Sequence, residues 1–341
     1  MSTENMGSIE TLVRGALGDA AADATLRALE IDAALLAQRG PVVSRAAFAV
    51  ALNVVLFHDL LQRVPSGRRF VDETLARGER VVFDHGALRT IRFADDAPRV
   101  LPNGEDAFSR ILVPLGYAVT GVYPLPRLRM TGRAYRHLDA PTDIPQFFLS
   151  ELHVEQFDYE FATVANRVFV AARDPLTATA RAVLSDFAKD CWVSTAAAAA
   201  ALPVIARVFG RQHGAVAEAD YRTLLAQSAE AGWIATEGNA FNHATSRVDD
   251  VDALAADLRA GGRPIKERVE VSASGRVRQT ALLADPVSRD FLDDEGGTVS
   301  IVVPGSFYEF ISRDVDPATG QLDLAFDSGN ATGIFAMTRA A

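Results

Sequence analysis

The sequence predicts an α+β fold in which two β-α-β-β modules pair around a cleft, with helices ahead of the first module and between the two. Three observations carry this expectation. The order strand, helix, strand, strand occurs twice. One motif, Phe-(Asp/Asn)-His-x-x-x-Arg, opens both occurrences: Phe83-Asp84-His85-Gly86-Ala87-Leu88-Arg89 and Phe241-Asn242-His243-Ala244-Thr245-Ser246-Arg247. Helical periodicity dominates the stretches outside them. A chain of 341 residues with 49% apolar and 23% charged residues can build such a core and is not disordered. Its one cysteine, Cys191, excludes a disulfide-stapled scaffold.

Taken in order, residues 1–79 form an N-terminal helical segment. Ile9 to Leu35 spaces Val13, Leu17, Ala20, Ala24, Ala28 and Ile31 as a helix does, although Gly15 and Gly18 weaken its start. Ala46 to Val64 is apolar nearly all round and predicts a buried helix. Val71 to Arg77 predicts a short helix closed by Gly78. The first module spans 80–157: a strand over Arg80 to Phe93, a helix from Asp106 to Leu115 with Gly116 at its C-cap, and strands over Tyr117 to Met130 and Gln146 to Phe157. Residues 158–236 predict a helical insertion, with the helical pattern running from Asp174 to Trp233 and including the alanine run Ala196 to Ala201. The second module spans 237–315: a strand over Ala240 to Val248, a helix from Val251 to Ala260 closed by Gly261-Gly262, a strand or hairpin within Ile265 to Leu283 turning at Ser274-Gly275, and a strand or strand pair over Thr298 to Arg313. Residues 316–341 form an irregular tail.

The two histidines lie 243 − 85 = 158 residues apart. A glutamate follows each on a later strand at equal spacing, 151 − 85 = 66 and 309 − 243 = 66. If the modules pair about a pseudo-twofold axis, these side chains converge and the cleft becomes a metal cleft. Two imidazoles and one carboxylate, with the remaining positions open, are the ligand set of non-haem Fe(II) oxygenases. Four ligands, with Glu151 as the possible fourth, would suit a Lewis-acid site of the glyoxalase type. Glu309 sits among Phe307, Tyr308, Phe310 and Ile311, where an unpartnered carboxylate is strongly penalised, so a metal gives it a reason to be there. Arg89 and Arg247 lie four residues after their histidines, on the same strand face. A guanidinium there can hold a substrate carboxylate bidentately, or pair with an acid such as Asp84 or Asp249.

The 34 Lys and Arg against 44 Asp and Glu give a net charge of −10, a poor match for nucleic acid. Met1 to Glu10 lacks the basic start of a signal peptide, and no run of 18 uncharged apolar residues occurs, so a cytoplasmic protein without membrane association is expected. No heptad pattern decides between monomer and homodimer. Gly-rich phosphate loops, Gly-x-Ser-x-Gly elbows and Cys-x-x-Cys pairs do not occur.

The stretches Val82 to Thr90, Asn242 to Val248 and Phe307-Tyr308-Glu309-Phe310 resemble the 2-oxoadipate dioxygenase/decarboxylase family, also called hydroxyglutarate synthase, over roughly residues 10 to 315. The resemblance implies a vicinal oxygen chelate-like core. It implies Fe(2+) held by His85, His243 and Glu309, with Glu151 outside the ligand set. It also implies that Arg89 grips the distal carboxylate of the substrate. His85 and Arg247 are expected as further substrate contacts. The implied reaction converts a 2-oxo acid, 2-oxoadipate, with O2 into 2-hydroxyglutarate and CO2, as in lysine catabolism. Two other readings remain: a non-oxidative isomerase, lyase or hydrolase using four ligands, and a binding protein that has lost the metal.

Overall fold

The computed structural model of the chain describes residues 6–94 and 99–326. The N-terminal segment holds α1 (Ser8–Leu17), α2 (Asp19–Ala28), α3 (Ala33–Leu36), the short strand β1 (Val42–Ser44), α4 (Arg45–Arg63) and α5 (Pro65–Ala76). The long helical stretch expected from Ile9 is three helices, because Gly18 adopts φ +78° between the first two. Ser44 starts α4 by accepting a hydrogen bond from the Ala47 N–H. Pro65 at the first position of α5 starts that helix earlier than its apolar pattern suggests. Among the described residues α4 is the one helix long and apolar enough to cross a membrane, and it is mostly buried within the protein. It packs on α1 on one side, and its Phe57 ring lies 5.0 Å from that of Phe83 on the sheet.

The first module comprises β2 (Val82–Arg92), α6 (Asp106–Leu112), β3 (Tyr117–Leu125), β4 (Met130–His137) and β5 (Gln146–His153). It has one more strand than expected. The chain from Tyr117 onward turns at Pro126–Leu128, where Arg129 takes the left-handed φ of 56°, a break that no glycine announces. The insertion contributes α7 (Tyr159–Phe169), α8 (Ala178–Asp190), β6 (Trp192–Ser194), α9 (Thr195–Ala206), α10 (Glu218–Gln227) and α11 (Ala229–Glu237). β1 and β6 pair antiparallel, with Val43 opposite Val193, and each leads into a serine-capped helix. A small second repeat thus fastens the insertion to the N-terminal helices.

The second module comprises β7 (Phe241–Arg247), α12 (Val251–Ala260), β8 (Glu270–Val271), β9 (Val277–Ala281), the hairpin β10 (Pro286–Leu292) and β11 (Thr298–Pro304), and β12 (Phe307–Arg313). Here too there is an extra strand, and the β10–β11 hairpin forms its own two-stranded sheet. The described part of the tail contains a short hairpin, β13 (Val315–Asp316) with β14 (Gln321–Leu322). Residues 327–341 of the expected irregular tail lie outside the described residues.

The main sheet has the order β3-β4-β5-β2-β7-β12-β9-β8 and curls into a half-barrel. Read outward from its centre, the order is the same on both sides: β2, β5, β4, β3 and β7, β12, β9, β8. The central pair is antiparallel, with His85 opposite Thr245 and Ala87 opposite His243. A pseudo-twofold axis therefore passes between Gly86 and Ala244. Gly86 is required there, because a Cβ would stand 2.2 Å from Cζ of Phe241. One sheet face packs Phe83, Phe147, Leu149, Phe241, Tyr308 and Phe310 against the helices. The other, concave face carries the site.

Candidate metal centre

Register shifts in the central pair fall between Phe83 and His85 on β2, and between the partners of Phe241 and His243 on β7. Asp84 and Asn242 are thus extra residues at symmetric β-bulges. A bulge re-aims a side chain. In this fold it brings each extra residue within reach of the imidazole that follows it. Asp84 Oδ1 lies 2.8 Å from His85 Nδ1, and Asn242 Oδ1 lies 3.1 Å from His243 Nδ1. Each accepts the Nδ1 proton, which leaves both Nε2 atoms facing the cleft.

Glu309 meets them there. Its Oε2 lies 3.5 Å from His85 Nε2 and 3.6 Å from His243 Nε2, and the three ligand atoms fall within 4.8 Å of one another. All three side chains are buried. Thr245 Oγ1 donates to Glu309 Oε2 at 2.8 Å and lies 3.0 Å from His85 Nε2. Gln279 Nε2 donates to the other oxygen, Oε1, at 3.4 Å. Phe307 stacks on the His243 ring at 4.6 Å, and Phe326 meets the His85 ring edge-on at 4.8 Å.

Burial pushes the Glu309 carboxyl up, but the two imidazoles outweigh it and hold the group down at about 2. Burial lowers His243 to about 3, so this imidazole is neutral. His85 moves the other way: burial lowers it, yet hydrogen bonds to Asp84 and Glu309 leave it raised. A cation among Glu309, Asp84 and the two rings would take the place of that proton. The donor set fits a divalent metal: one ionised carboxylate, two imidazoles oriented through Nδ1, and no cationic side chain paired directly with Glu309 among the contacts described.

The second layer was not legible in the sequence. Arg313, on β12, donates from Nε to Asp84 Oδ2 at 2.9 Å and from Nη2 to Oδ1 at 2.8 Å. Burial pushes Asp84 up, but Arg313 and His85 hold it well below the usual carboxylate range. Arg313 also donates to the carbonyls of Asp323 and Ala325, tying the segment that carries Phe326 to the site. Gln279, Thr245 and Phe307 were likewise missed. Thr245 and Phe307 each had a sequence signal, being two residues from His243 and from Glu309 on the same strand face.

Arg89 is buried on the same face of β2 as His85 and Ala87. Its guanidinium lies 5.2 Å from the centroid of the Trp233 ring on α11. Burial lowers it to about 10, with Glu230 acting in the opposite direction, and it remains a cation. Arg247, its symmetric counterpart, ends β7 and lines surface grooves with Glu30 and Val82.

Glu151 stands apart from the three ligand candidates, which corrects its place as a possible fourth. It shares the helix-packed face with Phe147 and Leu149. There it accepts from Arg92 Nε at 2.7 Å, Arg133 Nη1 at 2.9 Å and the Glu105 N–H at 2.8 Å. The equal spacing of 66 concealed a difference in register. β2 places His85 opposite Gln146 on β5, whereas β7 places His243 opposite Phe307 on β12. The offsets are 146 − 85 = 61 and 307 − 243 = 64. Glu151 is therefore three residues beyond the position equivalent to Glu309, and an odd step reverses the face.

Comparisons with known proteins bear on the fold and the family. The solved structure of a putative glyoxalase superfamily protein from Ralstonia eutropha JMP134 is 49% identical, with a TM-score of 0.89, covering 94% of this chain and 99% of that one. Hydroxyglutarate synthase from Oryza sativa, solved in complex with 2-oxoadipate, has a TM-score of 0.65 at 20% identity over 89% of this chain and 97% of that one. The Pseudomonas putida enzyme, also solved with 2-oxoadipate, gives 0.60 at 20% over 88% and 74%. The last two likenesses are of fold. No curated protein matches in sequence. The family profile described as 2-oxoadipate dioxygenase/decarboxylase matches residues 56–321, and the chain belongs to that family.

Proposed function

We propose that the protein is an Fe(2+)-dependent dioxygenase/decarboxylase of a 2-oxo acid, with His85, His243 and Glu309 as ligands and 2-oxoadipate as substrate. The products would be 2-hydroxyglutarate and CO2. One atom of O2 enters the new carboxylate, the other becomes the hydroxyl, and the original carboxylate leaves as CO2. The substrate itself supplies the electrons, so the reaction balances without a separate reductant. The observation that carries the reading is the buried cluster of two imidazoles and one carboxylate in a chain of this family. The four-ligand alternative loses its support because Glu151 faces away.

When bound, the metal supplies Lewis acidity toward the 2-oxo carboxylate and redox chemistry toward O2. The rest is the work of the chain. Asp84 and Asn242 hold both Nδ1 protons, so the Nε2 lone pairs stay directed at one point. Thr245 and Gln279 fix the two oxygens of Glu309. Phe307 and Phe326 exclude water beside the imidazoles. Arg89, a buried cation on the same strand face, takes the distal carboxylate and so positions the carbon chain.

His243→Ala should abolish O2 uptake with 2-oxoadipate and Fe(2+), and should remove metal from the purified protein. Undiminished uptake would dismiss the ligand assignment. Arg89→Ala should weaken use of the diacid by about 30-fold or more, as expected for removing one partner of a buried charge pair, while a monoacid analogue of equal length is far less affected. Equal losses on both would rule out the carboxylate contact.

A further inference from the structure

The pseudo-twofold axis relates more than the histidines. With His85 opposite Thr245 and Ala87 opposite His243, exchange of the modules superposes Ala87 on Thr245. The next strand pairs extend the relation. Ala87 is opposite Phe148 on β5, and Thr245 is opposite Glu309 on β12. One strand further out, Gly132 lies opposite Ser150 and Gln279 lies opposite Ile311, each two residues beyond Phe148 and Glu309. Phe148 is therefore the counterpart of Glu309, Ala87 of Thr245 and Gly132 of Gln279. The three residues that carry and steady the carboxylate in one module are all apolar in the other.

The apolar set is built as a unit. Ala87, Ala134 and Phe148 form a small buried cluster with Tyr123 and Phe326 packed against it. A Cβ on residue 132 would come within 2.7 Å of the Phe148 Cζ, so glycine there leaves space for the ring. The Phe148 ring lies 4.9 Å from Phe326, which itself lies 4.8 Å from His85. Through Phe326 this apolar surface adjoins the His85 imidazole.

We propose that Phe148 fills the fourth-ligand position of the duplicated scaffold, holding the protein ligands at three and leaving its side of the centre to the two oxygen donors of a 2-oxo acid. The proposal rests on the metal reading above. It makes Phe148 a specificity-determining residue, because ligand count separates a site that can chelate substrate from a closed four-ligand site.

The test uses Co(2+) as the probe metal, with affinity read by chelator competition and coordination by visible absorption. Phe148→Glu, alone and with Ala87→Thr and Gly132→Gln, should bind Co(2+) at least about tenfold more tightly than wild type, the smallest effect expected of a residue acting on the ligand shell. The absorption bands should shift, and 2-oxoadipate should no longer perturb them. Phe148→His brings a neutral donor to the same place and answers the question if the glutamate variants do not fold. Folded variants with wild-type affinity and an unchanged spectrum overturn the proposal while leaving the three-ligand reading intact. A wild-type protein that binds no Co(2+) overturns that reading itself, and the proposal with it.

Discussion

Asp84→Asn is the most informative single change, because it converts one bulge residue into the type found at the other. Asparagine keeps an oxygen for the His85 Nδ1 proton. It loses the charge that Arg313 reads through two hydrogen bonds of 2.9 and 2.8 Å, and turns an N–H toward the guanidinium. Partners that orient a ligating histidine are worth about 10- to 100-fold in metal affinity, or about 1.4 to 2.8 kcal/mol. Leaving one member of a buried ion pair without its partner costs about 3 to 5 kcal/mol of folding stability. Arg313 retains two backbone carbonyl acceptors, both at 2.9 Å, so the lower figure applies. At about 2 °C per kcal/mol for a chain of this size, the metal-free Tm should fall by roughly 6 °C. Calorimetry of the metal-free protein and chelator competition read the two effects separately. Affinity within twofold of wild type would show that the Asp84–His85 contact does not tune the centre, and the functional meaning given to the bulges would be withdrawn.

Other perturbations separate the structural from the chemical roles. Glu151→Gln should destabilise the fold by about 3 kcal/mol, since Arg92 and Arg133 lose their shared counter-charge. Metal affinity should not change, and a tenfold loss in a folded variant would return Glu151 to the ligand set. Gly86→Ala should cost about 1 to 3 kcal/mol or more through overpacking against Phe241 at the axis, read as a lower denaturant midpoint. An unchanged midpoint would mean that the central strands have room to separate. His137 is lowered to about 4 by burial, from 6.5, so the unfolded chain binds its proton first. Stability should therefore fall as pH drops from about 6.5 to about 4, by at most about 3 kcal/mol from this group. His137→Gln should flatten that part of the profile in urea titrations, and parallel profiles would refute the assignment.

The His85, His243 and Glu309 cluster was legible because duplication leaves a pattern that chance rarely makes. Phe-(Asp/Asn)-His-x-x-x-Arg recurs on a strand, and strand alternation then fixes which residues share a face. The fourth candidate misled because equal spacing along the chain does not guarantee equal register. The second module carries the β10–β11 hairpin before its last strand, the first has no such insertion, and the two pairings differ by three residues. β4 was hidden because Arg129 makes a turn that side-chain type does not signal. Arg313 and Gln279 lie in sequence far from the histidine motifs and act only through sheet register. The expected insertion begins at residue 158, but its helical pattern begins only at Asp174; α7 precedes that, capped by Asp158 through the Phe161 N–H.

If the proposed reading holds, charge gives a reason for the two halves to differ in side chains while their backbones stay alike. Burying net charge is expensive unless it is paired. Arg313 cancels Asp84, so the ligand set presents a single negative charge, that of Glu309. On the proposed reading, a dication there would leave one positive charge, which the carboxylate of a chelating 2-oxo acid would neutralise. The distal carboxylate of a diacid would then be matched by Arg89 on the same face, and the filled cleft would be neutral. Glutamate in place of Phe148 would upset this balance. The centre would be neutral before substrate arrived, and the 2-oxo acid would carry an unpaired charge into a dry site. On the proposed reading, the change from a carboxylate to a phenyl ring in one half and the buried arginine four residues after His85 are two parts of one adaptation: both make a buried cleft accept a dianion.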